Sequence, residues 1–350
     1  MVKVGIIGIG FMGMMHSYAF WGKGTSSGRK VRGAKVVAVC TRDPQKLRGD
    51  WTSIKGNFGP RGGNEKLSGV RTYQEIERIL EDEEIELVDV CLHNHLHREV
   101  TVDALRAGKH VLVEKPIAVQ VRDADAMTKA AEKAKKHFLV AQVLPFFPEF
   151  AWVKKVVGSG KYGNVLGAHF KRIISKPAWA PELVDIEKSG GPGIDLHIHD
   201  NHFIQLLFGI PDRVFSRGIQ TTGGFLQYVN TQYIYDDRDL TISCASGGLS
   251  MPARPFVHGF EIYMEKATLV YESGTMPLSV LHASGRIEPV NLKVATEIDP
   301  FVDQIQYAVD VIRKGIDPST LGAEGARSAL LLCHKEAESV KRRRAIRVAK

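Results

Sequence analysis

The chain opens with a short aliphatic run, Val2 to Ile7, that passes directly into Gly8-Ile9-Gly10-Phe11-Met12-Gly13 and then into a helix-compatible stretch. Strand, glycine-rich turn and helix in that order constrain the fold more than any other feature of the sequence. Gly8 allows the tight turn, Gly10 lets the backbone come close to a bound group, and Gly13 lets helix and strand pack closely. The helix N-terminus then offers amide donors and partial positive charge, which suit a pyrophosphate. Gly8, Gly10, Phe11, Met12 and Gly13 are the candidate dinucleotide contacts.

The opening pattern repeats. Lys35 to Cys40, Leu87 to Leu92, His110 to Val113 and Phe138 to Val143 are further buried-strand runs. Helix patterns at Tyr73 to Leu80, His97 to Arg106 and Ala124 to Lys135 separate them, so a doubly wound parallel sheet of the Rossmann type is expected over residues 1–145. Two polar, glycine-rich stretches interrupt it, Gly22 to Gly33 and Gly49 to Gly69. Trp51, Ile54 and Phe58 in the second pack either within the loop or against the adenine end of a cofactor.

From residue 146 to 350 the texture changes to strands joined by turn residues: Val165 to Ser175, Arg213 to Ile219, Leu226 to Tyr235, Leu240 to Ala245, Phe260 to Glu265, Thr268 to Glu272 and Leu278 to His282. With helices at His197 to Phe208, Phe301 to Arg313 and Glu324 to Arg342, this half reads as an α+β domain with a large, mostly antiparallel open sheet. One free face of such a sheet is a natural surface for a homodimer or homotetramer.

Bulk properties exclude other classes. The net charge of +8 is concentrated in Lys341-Arg342-Arg343-Arg344, Arg347 and Lys350 and around Arg29 to Arg32, without a nucleic-acid-binding motif, so a solvated tail is expected and no nucleic-acid partner. No apolar run reaches the ~20 residues that span a bilayer. The four cysteines are widely spaced and read as reduced, buried thiols, which favours the cytoplasm.

The end of the second strand selects the nucleotide. An acidic residue there binds the ribose hydroxyls of NAD, but this chain has Cys40-Thr41-Arg42. Thr41 can donate to a 2′-phosphate and Arg42 can pair with it or stack on adenine. Asp43-Pro44 looks like a helix cap. NADP is favoured over NAD.

Glu114-Lys115-Pro116 closes the strand His110 to Val113, at the sheet edge where ligands bind. Lys115 can stabilise negative charge on a substrate oxygen, Glu114 can hold Lys115 in place, and Pro116 makes a cis peptide affordable. In the other half, Gly190-Gly191-Pro192-Gly193 leads into Asp195 and His199, which share a helix face if a helix starts near Asp195. An imidazole can take a hydroxyl proton while a carboxylate grips a neighbouring hydroxyl. Lys115, Asp195 and His199 are the candidate catalytic groups, expected to meet between the two domains. The clusters His93, His95, His97 and His197, His199, His202 lack a completing ligand set, so no metal is expected.

These motifs, with Ala104-Leu105-Arg106-Ala107-Gly108-Lys109-His110-Val111 and Leu207-Phe208-Gly209-Ile210-Pro211, resemble the Gfo/Idh/MocA oxidoreductases over nearly the whole chain. The resemblance implies a nicotinamide cofactor, sugar, inositol or polyol substrates, and oligomers built on the C-terminal sheet. It implies that Lys115 polarises the reacting oxygen, Asp195 contacts a substrate hydroxyl and His199 is the general acid/base. It also places Asn94 and His97 near the nicotinamide. The chain departs from the family at Leu92-His93-Asn94, at Leu144-Pro145-Phe146-Phe147-Pro148 and at His202, all on the presumed substrate side. Arg172, Trp179 and Arg254 to His258 are further candidates for shaping it. Two other functions fit the same motifs: a lyase or hydrolase that cycles a retained nicotinamide, and a non-catalytic cofactor sensor.

Overall fold

The computed structural model describes residues 1–56, 58–175, 186–220, 224–293 and 295–348. The elements run β1 (Val2–Ile7), α1 (Phe11–Trp21), β2 (Ala34–Cys40), α2 (Pro44–Leu47), β3 (Arg71–Tyr73), α3 (Ile76–Glu81), β4 (Leu87–Val90), α4 (His97–Arg106), β5 (His110–Glu114), α5 (Val121–Ala134) and β6 (Phe138–Ala141). They continue with α6 (Pro148–Ser159), β7 (Val165–Ser175), α7 (Ile186–Ser189), α8 (Pro192–Asp195), α9 (Ile198–Phe208), β8 (Arg213–Gln220), β9 (Leu226–Ile234) and β10 (Thr241–Ser250). The last are β11 (Val257–Met264), β12 (Ala267–Glu272), β13 (Met276–His282), β14 (Ile287–Pro289), α10 (Asp299–Lys314), α11 (Ala323–Arg342) and β15 (Ile346–Arg347).

The chain forms two compact units, Met1–Phe146 with Val294–Arg327, and Phe147–Lys293 with Ser328–Lys350. A single cut after residue 145 does not describe this division. The chain returns to the first unit because α10 packs on α1 and Leu321 accepts a hydrogen bond from the Val140 amide of β6.

In the first unit six parallel strands follow the order β3-β2-β1-β4-β5-β6, the doubly wound arrangement expected. β1, β4, β5 and β6 are almost wholly buried, which is why their aliphatic runs were readable. β3 escapes the sequence pattern: its three residues are exposed or half-buried, and the helix begins only at Ile76 rather than Tyr73. The Gly49 to Gly69 stretch packs on helices. Trp51 is fully buried and stacks on Trp21 at 5.5 Å. Phe58 meets Phe11 edge-on at 4.8 Å and stacks on Phe301 of α10.

The second unit holds a nine-stranded sheet, β14-β13-β12-β11-β7-β10-β9-β8-β15. Among the described strands of this sheet, only the β7–β10 pair is parallel. One face carries the buried Val214, Tyr233, Ile242, Ala168 and Ile262, cross-strand neighbours in register. The basic C-terminus is less of a free tail than expected: Lys341 and Arg342 finish α11, and Ile346–Arg347 pair with β8.

Candidate cofactor cradle and catalytic groups

β1, β4 and β5 end level with one another, since Ile7 pairs with Val90 and Val90 with Val113. The residues that follow, Gly8, Cys91 and Glu114, therefore share the carboxyl edge of the sheet, beside the point where strand order reverses between β1 and β4. Gly8 has φ +96°, and a Cβ there would run into the Cys91 carbonyl; a Cβ on Gly13 would collide with the Gly8 carbonyl. Gly10 differs: its Cβ would meet nothing within 4 Å. It is exposed, precedes the first turn of α1, and has no acidic neighbour in that turn. Phe11 and Met12 open the helix, half-buried. A tight turn, an open approach at Gly10 and a bare helix N-terminus are a cradle that fits a dinucleotide pyrophosphate.

At the end of β2, Thr41 is half-buried and Arg42 exposed. Asp43 caps α2, its Oδ1 accepting from the Gln45 amide at 2.9 Å and the Lys46 amide at 3.4 Å, as Asp43-Pro44 suggested. The carboxylate nearest the strand end is thus spent on its own helix.

His97 and Glu114 make internal contacts beside the glycine turn. His97 is fully buried, with Nδ1 2.8 Å from the Pro116 carbonyl and Nε2 3.0 Å from the Leu92 carbonyl. It clips the turn after β4 to the turn after β5, and burial holds its pKa below the usual range. Glu114 is 5% exposed and accepts from the Lys115 amide at 3.0 Å, while its other oxygen lies 3.0 Å from His16 Nε2. Lys115 is half-buried at the strand's end, and the Lys115–Pro116 peptide is cis. Asn94 is half-buried in a short 3-10 turn after β4.

Sequence reasoning missed His16 and Asp89. His16 Nδ1 on α1 contacts both Asp89 carboxylate oxygens, at 3.1 and 2.9 Å, and both residues are fully buried. A charged side chain in the aliphatic run Leu87 to Cys91 was the available signal.

In the second unit the helix expected over His197 to Phe208 is α9, and Asp195 lies on the short α8 before it. Asp195 ends α8, and His199 is the second residue of α9. Leu196 and His197 between them keep right-handed helical dihedrals, so the spacing still brings Asp195 and His199 towards one side. Both are half-buried. His202 turns inward and is fully buried, and burial pushes its pKa down to about 3.

A polar network lies under α9. Arg172 of β7 donates to Asp200 through Nε at 2.8 Å and Nη2 at 3.1 Å, so it anchors α9 instead of facing a substrate. His197 Nε2 lies 3.0 Å from Glu336 Oε1 of α11. Asn201 Nδ2 donates to Glu336 Oε2 at 2.9 Å, and Tyr233 Oη donates to Asn201 Oδ1 at 2.6 Å. Burial opposes a charge on His197, but Glu336 outweighs it and lifts the pKa above the usual range. Trp179 lies outside the described residues.

Among the described residues, two buried groups bring three metal-ligating atom types together, His16-Asp89-Cys91 and His197-Asp200-Cys244. Neither is one of the histidine clusters singled out from sequence, and in both the carboxylate already has a cationic or ring-nitrogen partner.

Sheet order and the glycine turn define a Rossmann-type fold. Residues 2–142 match the model of the Gfo/Idh/MocA oxidoreductase family, described as having an NAD-binding Rossmann fold. Myo-inositol 2-dehydrogenase of Thermotoga maritima is 22% identical over 371 residues, spanning 99% of this chain and 98% of that protein. The 2,7-anhydro-N-acetylneuraminate hydratase of Mediterraneibacter gnavus is 31% identical over 197 residues, 54% of this chain and 47% of that protein. A levoglucosan dehydrogenase solved with NADH and L-sorbose shares the fold, with TM-score 0.83 and 19% identity over 100% of this chain and 99% of that one.

Proposed function

We propose that the protein is an NADP-preferring dehydrogenase/reductase of sugars, inositols or related polyols. The observation that supports this reading is the level carboxyl edge of β1, β4 and β5, with the Gly8 to Gly13 turn and Lys115 on one rim of one sheet. A bound nicotinamide would accept hydride from, or return it to, the substrate carbon. Lys115 polarises the reacting oxygen and stabilises its charge. His199 takes the hydroxyl proton in the oxidation direction and returns it in reduction. Asp195 grips a neighbouring hydroxyl, and Asn94 contributes an amide near the ring. Arg42, exposed at the end of β2, pairs with a 2′-phosphate, while Asp43 Oδ1 is engaged in capping α2.

Phe215, Ile219 and Tyr263 stand exposed on the sheet face opposite Val214 and Ile262, which supports a homodimer or homotetramer through that face. The four buried free cysteines fit a reducing cytoplasm. Among the described residues no helix is long and apolar enough to cross a membrane.

The test is a panel of sugars, inositols and their ketoses offered with NAD and with NADP. Turnover of at least one polyol, faster with NADP, is expected; silence across the panel with both cofactors contradicts the reading. The likeness to a hydratase favours a second function, in which a retained nicotinamide is reduced and reoxidised within each turnover. Cofactor that copurifies, and product formed without net reduced nicotinamide, would establish it.

A further inference from the structure

His16 sits behind the glycine cradle, in the second turn of α1, and no solvent reaches it. Its ring joins two buried carboxylates from adjacent strands, Asp89 of β4 at Nδ1 and Glu114 of β5 at Nε2. Cys91 completes the pocket, with Sγ 3.5 Å from Nδ1 and 3.6 Å from Asp89 Oδ1. Nδ1 hydrogen-bonds Asp89 while Nε2 lies within ion-pair distance of Glu114, and two carboxylates beside one ring favour its imidazolium form. Burial disfavours that charge, yet the Asp89 carboxylate outweighs it and holds the His16 pKa well above its ordinary value. Burial also pushes the Cys91 thiol up to about 12, so it stays protonated.

Glu114 is the link to chemistry. One oxygen faces His16; the other accepts from the Lys115 amide. A carboxylate held at one end by a buried cation has little freedom at the other, so the backbone of Lys115 is set by a chain that starts at Asp89. Resting on the role given to Lys115 above, we infer that His16 is a positioning residue that aims Lys115 through Glu114.

The relay is distinguished from ordinary core packing by non-additivity. His16→Ala should lower kcat by about tenfold to a hundredfold while substrate KM changes less than threefold. In a Lys115→Ala background the same change should cost less than twofold more, because the residue it aims is gone. His16→Gln and Asp89→Asn, milder changes, should fall between wild type and His16→Ala and rank with the number of contacts kept. Multiplying losses in the double variant would overturn the inference. Amide hydrogen exchange at Lys115 provides a readout that needs no turnover: His16→Ala should speed it at least tenfold. Unchanged exchange there sinks the relay, whereas faster exchange in a chain that oxidises no polyol sinks only the assigned reaction.

Discussion

Glu336, near the end of α11, reaches back 139 residues in sequence to put Oε1 3.0 Å from His197 Nε2, with both side chains fully buried. The same carboxylate receives Asn201 Nδ2, so one residue ties down both ends of the first turn of α9. Glu336→Ala leaves a buried imidazole and an amide without their partner, and unfolding free energy should drop by about 3–5 kcal/mol. Glu336→Gln keeps a hydrogen-bonding oxygen and should lose markedly less. Urea titration of the three proteins measures the order; equal stability for Glu336→Ala and wild type would contradict the pairing.

Glycines of one loop should fail in different ways. Gly10→Ala should fold with wild-type stability, since its Cβ stands in open space, yet bind cofactor at least tenfold more weakly because the pyrophosphate needs that space. Gly13→Ala places a methyl against the Gly8 carbonyl and should lose stability itself. Melting curves and cofactor titrations separate the two. Full affinity in Gly10→Ala would displace the cradle from its assigned place.

Nucleotide preference turns on Arg42. Arg42→Ala should raise the Kd for NADP about tenfold and leave that for NAD within twofold. A parallel loss for both would assign the guanidinium to adenine stacking rather than to the 2′-phosphate.

Acid should unfold the second unit through its neutral histidines. Burial, with a minor push from a nearby cation, holds His202 and His258 down to about 3. Each is therefore neutral in the fold while it takes a proton in the unfolded chain below its ordinary value of about 6.5. Stability contributed by neutrality is full above that value and falls as pH drops towards about 3, by up to about 1.4 kcal/mol per pH unit for each ring. Denaturation midpoints between pH 7 and 4 should show this slope, and His202→Gln should flatten it. An identical slope in the variant would remove His202 from the account.

Much of this was legible because local patterns and tertiary burial agree. Val2 to Ile7 and His110 to Val113 are strands buried on both faces, and Asp43-Pro44 is a cap written in two adjacent residues. Pairings between distant positions were not legible: His16 meets Asp89 across 73 residues, and neither residue type announces a buried partner on its own. Arg172 looked like a substrate residue for the same reason, since Asp200 reveals its partner only in the folded sheet. The family resemblance places His97 near the nicotinamide, but its contacts with the Pro116 and Leu92 carbonyls, like that of Glu114 with His16, could be seen only in the folded sheet. The break at Leu196 and His197 carries no glycine or proline of its own to mark it.

The central claim is hydride transfer assisted by Lys115 and His199, and single-turnover transfer of deuterium tests it most directly. With a polyol labelled at its reacting carbon, wild type should place the label on nicotinamide C4, and Lys115→Ala or His199→Ala should slow that step at least a hundredfold with cofactor Kd within threefold. No label on the nicotinamide, or variants that transfer it at the wild-type rate, would contradict the account.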